Sequence, residues 1–272
     1  MPDRYAVIGN PVAHSKSPRI HAEFARQTGQ DMSYELLLAR ADAFAAAANA
    51  FRAGGGRGLN VTLPFKGEAY RFASRCSERA RAARAVNTLK FEDDAIFGDN
   101  TDGAGLVNDL MHNLGHSIAS RDVLLLGAGG AARGVIAPLL EQRPTRLVLA
   151  NRAPEKAQML AQDFGNGVEA GSYAALAGRQ FDIVINATSA SLSGALPPLP
   201  NGVFAHGALA YDMMYGQGDT PFLAFARREG AAAFADGLGM LVEQAAESFF
   251  IWRGLRPDTA PVLKLLRQTA DD

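Results

Sequence analysis

The chain has 272 residues, 48% of them hydrophobic, and its 27 Lys and Arg against 28 Asp and Glu leave a formal net charge of −1. That length accommodates one large domain or two of ordinary size, with apolar material for two cores. The near-neutral balance excludes the basic stripe of a nucleic-acid binder, no apolar run reaches transmembrane length, and the single Cys76 excludes an internal disulfide and fits a reducing cytosol.

MPDRYAVIGN has no signal-peptide layout, and its residues 5–8 read as a strand stopped by Gly9-Asn10-Pro11. His14-Ser15-Lys16-Ser17-Pro18 is a loop feeding a helix over 18–27, with Ser17 as the expected N-cap, Pro18 at the first helical position and Gly29 as the stop. A strand over 33–38, an Ala-rich helix over 42–52 and a strand over 58–63 follow, and 64–67 opens another helix. The alternation implies a parallel α/β unit. Residues 86–92 and 96–98 around Asp93-Asp94 read as a hairpin, and Asn100-Thr101-Asp102-Gly103 starts a helix over 102–114. His112 and His116 are four apart, but Gly115 interrupts the helix and no third ligand is near, so no metal is expected.

A second unit begins near Arg121. Strands at 123–126, 146–150, 181–186, 208–212 and 232–235 alternate with helices at 130–142, 154–164 and 221–229, the doubly wound dinucleotide-binding pattern. Helices over 240–253 and 260–269 are left over and return to the first unit. The expected domains are therefore 1–103 plus 238–272 for substrate, and 104–237 for the dinucleotide.

The chemistry centres on RDVLLLGAGGAARG at 121–134. An apolar strand runs into Gly127-Ala128-Gly129-Gly130-Ala131-Ala132, the G-x-G-x-x-G/A form of the fingerprint. Gly127 allows the tight turn, Gly129 lets a pyrophosphate approach the backbone, and Ala132 lets the helix pack close. The helix N-terminus offers unpaired N–H groups and a positive dipole end. The alternative is an ordinary glycine-rich turn. The second strand ends in Asn151-Arg152, where an NAD site carries a carboxylate; a neutral amide and a guanidinium favour the 2′-phosphate of NADP(H).

In the first unit polar residues collect at element ends, where α/β proteins place ligands. Ser15 and Ser17 offer hydroxyls; Asn60 and Thr62 alternate with Val61 and Leu63, so both point to one face. Lys66, Asn87, Thr88, Asp102 and Gln244 add a cation, a carboxylate and neutral donors and acceptors. Such a set suits a small polyol bearing one carboxylate. Singly, each has a plainer reading, such as Ser17 as a cap and Asn60 and Asn87 as turn residues.

Together the segments GNPVAHSKSPRIH (9–21), GLNVTLPFK (58–66), AVNTL (85–89), GDNTDG (98–103), GAGGAARG (127–134), NR (151–152), INATS (185–189), YDMMY (211–215) and GLGML…EQA (237–245) resemble the shikimate dehydrogenase family over nearly the whole chain. The resemblance implies two α/β domains, one a Rossmann NADP-binding domain, with the active site in the cleft between them. It implies NADPH-dependent reduction of 3-dehydroshikimate to shikimate, in the route to chorismate and aromatic amino acids. Lys66 and Asp102 correspond to the family's catalytic pair, and the residues leave open which of the two carries the proton. Ser15 and Ser17 correspond to holders of the substrate carboxylate, with Tyr215 near it. Asn60, Thr62, Asn87, Asp102 and Gln244 correspond to contacts with ring hydroxyls. On the cofactor side, 127–131 match the pyrophosphate loop, Asn151 and Arg152 the 2′-phosphate site, and Thr188, Ser189, Met213 and Gly237 the ribose and nicotinamide lining. The implied protein is a cytoplasmic monomer or homodimer acting on a small molecule, with no nucleic-acid or membrane partner.

One departure concerns the cofactor. Where the family often has Thr and a further arginine after Asn-Arg, this chain has Ala153 and then Lys156, a point charge without the planar fork. That predicts a softer NADP preference. Two other readings remain: a sister enzyme that takes quinate or NAD, and a regulatory protein that binds shikimate without turning it over.

Overall fold

The computed structural model describes residues 1–188, 190, 194–216 and 218–268; Ser189, among the expected cofactor contacts, lies outside them. Internal contacts divide the chain into two units, Met1–Gly105 with Val242–Leu266, and Leu106–Leu241 together with Arg267. The expected divisions at 103/104 and 237/238 shift to 105/106 and 241/242, inside the helices Asp102–Asn108 and Leu238–Arg253 rather than at their starts.

The first unit is built from β1 (Asp3–Gly9), α1 (Ser17–Thr28), β2 (Met32–Leu38), α2 (Phe44–Ala53), β3 (Gly56–Val61), α3 (Lys66–Phe72), β4 (Arg75–Cys76), α4 (Glu78–Ala83), β5 (Thr88–Phe91), β6 (Ile96–Asp99) and the start of α5 (Asp102–Asn108). Its sheet has the order β2-β1-β3-β5-β6-β4. The expectation of a parallel sheet holds only for β2-β1-β3 and the short β4–β6 pair; the hairpin β5–β6 lies antiparallel and meets β3 antiparallel, so the sheet is mixed. The short Asp93-Asp94 turn reverses the chain between β5 and β6, the hairpin expected there, whereas a parallel crossover would need a dozen residues or more; the departure is the pairing of β3 with β5. Sequence periodicity missed β4 and α4: one has only two residues, and the other, six residues long, is started by the Ser77 side chain accepting from Ala80 N–H.

The second unit comprises β7 (Asp122–Leu126), α6 (Gly130–Glu141), β8 (Arg146–Ala150), α7 (Pro154–Gln162), β9 (Val168–Gly171), β10 (Phe181–Asn186), β11 (Phe204–Asp212), α8 (Pro221–Arg228) and β12 (Ala233–Asp236). The order β12-β11-β10-β7-β8-β9 is parallel throughout, the doubly wound arrangement whose direction reverses between β7 and β10. The period of two divides each strand between two cores. Val123 and Leu125 join Leu147, Leu149, Ile183 and Ile185 on one face, while Leu124 and Leu126 join Val148, Ala150 and Val184 on the other. Burying each such leucine stabilises by about 1.5–3 kcal/mol, which fixes the register, because a one-residue slip exchanges the faces. β9 escaped the sequence reading because VEAG, at the sheet edge, lacks an apolar repeat.

α9 (Leu238–Arg253) and α10 (Ala260–Gln268) complete the described chain. The expected helix over 102–114 begins as α5 but finishes as a π-helical turn, Asp109–Asn113. No helix among the described residues is long and apolar enough to cross a membrane.

Candidate active site

In the first unit, the polar ends of β3, α3, β5, α5 and α9 supply one connected cluster. Lys66 opens α3 and Asp102 opens α5, and Lys66 Nζ donates to Asp102 Oδ2 at 2.6 Å. Their side chains are 28% and 12% exposed, so the pair is shielded enough to hold its geometry yet open to a ligand. Asp102 Oδ1 accepts from Asn87 Nδ2 at 2.8 Å. Asn87 Oδ1 in turn accepts the Thr101 N–H at 2.9 Å, which fixes which way the amide faces. Gln244, on α9, brings Oε1 to 3.3 Å from Asn87 Nδ2. The carboxylate therefore accepts on both oxygens, while the ammonium keeps protons to give.

Asn60 lies on the same network. Its Oδ1 accepts from Tyr34 Oη at 2.8 Å, and its Nδ2 lies 3.2 Å from Asn87 O and 2.9 Å from Ser248 Oγ. Thr62 stands just past the end of β3, its N–H bonded to Ile8 O, and does not join these bonds.

Ser17 corrects an expectation. It is the first residue of α1 rather than its N-cap; Lys16 holds the cap position without a side-chain bond, and the Ser15 hydroxyl accepts the Ser17 N–H at 3.2 Å. The turn closes one residue earlier because Ser15 supplies the local acceptor. The Ser17 hydroxyl bears on that of Tyr34, whose ionisation burial makes much harder.

His21 lies beneath this cluster, fully buried, stacked on Tyr34 at 4.3 Å and packed against Phe24, Phe249 and Trp252. Neither ring nitrogen makes a well-formed hydrogen bond. Burial lowers its pKa to about 3, and the neighbouring Asn60 side chain offsets only part of that effect.

In the second unit the site is made largely of backbone. Gly127, straight after β7, has φ +105°, where L side chains are strained, and an added Cβ would lie 3.1 Å from Thr188 Cγ2 and 3.3 Å from Ala187 O. The loops after β7 and β10 thus touch at the point where strand order reverses. Over Gly129 and Gly130 nothing lies within 4 Å of an added Cβ, and α6 begins there. That open cradle at a helix N-terminus fits a pyrophosphate. Ala128 is half-buried and Ala131 exposed beside it.

Asn151 Nδ2 bonds Ala153 O at 3.0 Å, turning the chain so that Arg152 and Lys156 are both exposed at the start of α7. Arg152 lies close enough to Tyr173 to act on its ionisation. The donor set fits a 2′-phosphate.

Thr188 is held by Asn186, whose Oδ1 accepts both its N–H and its hydroxyl, the latter at 2.7 Å. Met213 N–H bonds Asn186 O, and Gly237 N–H bonds Met214 O. Gly237 sits so tightly on Met213 that a Cβ there would be 2.2 Å from the Met213 carbonyl oxygen. Asp212, fully buried, accepts from Asn186, from Met214 N–H and from the Thr220 hydroxyl, fixing the segment that leads to half-buried Tyr215.

Three models match along the chain: the shikimate dehydrogenase substrate-binding domain over residues 7–89, shikimate/quinate 5-dehydrogenase over 109–193, and the shikimate 5′-dehydrogenase C-terminal domain over 237–267. The shikimate dehydrogenase (NADP(+)) of Aromatoleum aromaticum is 63% identical over 99% of this chain and 98% of its own length. The chain belongs to the shikimate dehydrogenase family. A second member, the shikimate dehydrogenase (NADP(+)) of Dechloromonas aromatica, is also 63% identical, over 98% of each chain. Among solved structures, shikimate 5-dehydrogenase from Thermus thermophilus in complex with NADP(H) and shikimate superposes with a TM-score of 0.87 at 34% identity, covering 98% of this chain and 99% of that one.

Sequence reasoning passed over Tyr34, Ser248, Asn186 and Asp212 as members of these networks. Ser248 had a readable signal, one helical turn beyond Gln244 on the same face. Tyr34 had none, because its strand reads SYELLL without regular alternation.

Proposed function

We propose that this chain is an NADP-dependent shikimate dehydrogenase, reversibly reducing the ketone of 3-dehydroshikimate to the alcohol of shikimate, as its full-length relatives are named to do. The observation that carries the reading is the Lys66–Asp102 pair at 2.6 Å, flanked by amides suited to ring hydroxyls. The dinucleotide, when bound, supplies the hydride that reduces the carbonyl carbon. Lys66 gives a proton to the carbonyl oxygen as negative charge develops there, and recovers it from the alcohol in the reverse direction. Asp102, accepting on both oxygens, orients Lys66 rather than donating, and presents itself to a substrate hydroxyl. Asn60, Thr62, Asn87 and Gln244 read the remaining hydroxyls, and Ser15 and Ser17, with Tyr215, take the carboxylate end.

On the cofactor side, 127–131 hold the pyrophosphate, Asn151, Arg152 and Lys156 the 2′-phosphate, and Thr188, Ser189, Met213 and Gly237 the ribose and nicotinamide. We place the enzyme in the cytosol, where its single thiol stays reduced. The test follows nicotinamide absorbance with shikimate or quinate and NADP or NAD. Reduction of NADP by shikimate, lost in Lys66→Ala while shikimate still binds, is the expected result. A preference for quinate or NAD assigns the sister activity instead, and binding without turnover in every combination overturns the enzyme reading.

A further inference from the structure

A run of hydrogen bonds crosses the first unit behind the Lys66–Asp102 pair. Tyr34 Oη donates to Asn60 Oδ1 at 2.8 Å, and Asn60 Nδ2 donates to Ser248 Oγ at 2.9 Å. The Ser248 and Thr88 hydroxyls lie 2.7 Å apart, Thr88 Oγ1 donates to Asn87 Oδ1 at 2.9 Å, and Asn87 Nδ2 donates to Asp102 Oδ1 at 2.8 Å. With the Ser248 proton given to Thr88 rather than to Gln244 O, 3.0 Å away, every group donates in the same direction, from Tyr34 towards Asp102. In such a run each bond polarises the next.

Thr88 and Ser248 are both fully buried, so water cannot replace a link that is removed. Valine and alanine at these positions would fill nearly the same space with fewer buried polar atoms to satisfy. A polar path through a core therefore calls for a use beyond packing. Its effect falls on two amides. Asn87, turned over, would point its carbonyl oxygen at the Asp102 carboxylate and its NH2 at the Thr101 N–H. Asn60 is held by Tyr34 on its oxygen and by Ser248 on its nitrogen.

We propose that Tyr34, Ser248 and Thr88 are positioning residues for the reaction: they fix the Asn60 and Asn87 amides and, through Asn87, hold Asp102 and Lys66 in the geometry that meets the substrate. The proposal rests on the roles given above to Lys66 and Asp102.

Tyr34→Phe removes one oxygen and keeps the ring that stacks on His21. Each of Tyr34→Phe, Ser248→Ala and Thr88→Val is expected to lower kcat/KM for shikimate by roughly 5–20-fold, the effect of losing one buried hydrogen bond. The KM for NADP stays unchanged. The pair Tyr34→Phe with Ser248→Ala is expected to lose no more than the worse single variant, because both cut the same run. Thr88→Ser, which restores the hydroxyl, recovers most of the activity lost in Thr88→Val.

Wild-type kcat/KM in Tyr34→Phe, losses that multiply in the double variant, or no recovery in Thr88→Ser each overturn the proposal. Tyr34→Phe and Thr88→Ser carry the test if Ser248→Ala does not fold. Lys66→Ala separates the two failures. An active Lys66→Ala brings down the assignment of the pair, whereas an inactive one beside a wild-type Tyr34→Phe brings down the run alone.

Discussion

The two units reach a binding site by opposite means. In the first, side chains from β3, α3, β5, α5 and α9 converge on the Lys66–Asp102 pair, and Asn87 and Thr88 behind it are held by buried bonds. In the second, the candidate cofactor site is made largely from what side chains leave out: the positive φ of Gly127 and the open space over Gly129 and Gly130. A site of the first kind fails when an atom is removed. The second kind fails when one is added.

The largest effect separating the two belongs to Lys66→Ala. Loss of a positioned proton donor is expected to cost roughly 10²–10⁴ in kcat, with NADP binding intact by fluorescence titration; a kcat within tenfold of wild type would remove Lys66 from the chemistry. Next comes the proposed guanidinium contact with the 2′-phosphate. Arg152→Gln is expected to shrink the kcat/KM preference for NADP over NAD by about 10–100-fold, the effect of losing a charge-assisted bond to phosphate. An unchanged ratio would assign the discrimination to Lys156.

Gly127→Ala adds a single carbon at φ +105° and 3.1 Å from Thr188 Cγ2. Strain of about 1–2 kcal/mol in that loop converts to an increase of roughly 5–30-fold in the Kd for NADP, with shikimate binding unaltered in the same titration. Weakened shikimate binding would contradict an effect confined to that loop.

The last effect is on stability and leaves activity at neutral pH aside. His21, with a pKa of about 3 when folded against an ordinary 6.5, binds its proton more readily unfolded. Its contribution is therefore complete above pH 6.5 and is lost as pH falls towards 3, at about 1.4 kcal/mol per pH unit. His21→Phe should flatten the fall in Tm between pH 6 and pH 4, and a slope equal to that of wild type would place the acid sensitivity elsewhere.

Much of this could be read from sequence because local chemistry reported it. The fingerprint at 127–132 combines a strand, a turn and a helix start in a few residues, and Asn151-Arg152 follows at a fixed place after β8. The hairpin β5–β6 is marked by its Asp93-Asp94 turn. What failed to appear is non-local. The antiparallel meeting of β3 with β5 depends on which strand fills the neighbouring slot, and no periodicity encodes that. Ser17 looked like a cap because the sequence shows residue types, whereas Ser15 holds the bond. Ser248 shows in sequence only its place one turn beyond Gln244, and Thr88 reads as a ligand contact rather than a support behind one, because their partners are distant along the chain.

That distance bears on how the protein is made. Ser248 meets Asn60 across 188 residues and Thr88 across 160, and Trp252 donates to Leu89 O across 163. While the intervening chain is synthesised, for ~10–30 s at ordinary ribosomal rates, Asn60 and Thr88 wait without the helix that covers them. The second unit, with nearly all its strands and helices in one continuous stretch, has no such wait. The nascent chain thus completes most of its nucleotide-holding half first and acquires a working substrate pocket only once α9 has been made.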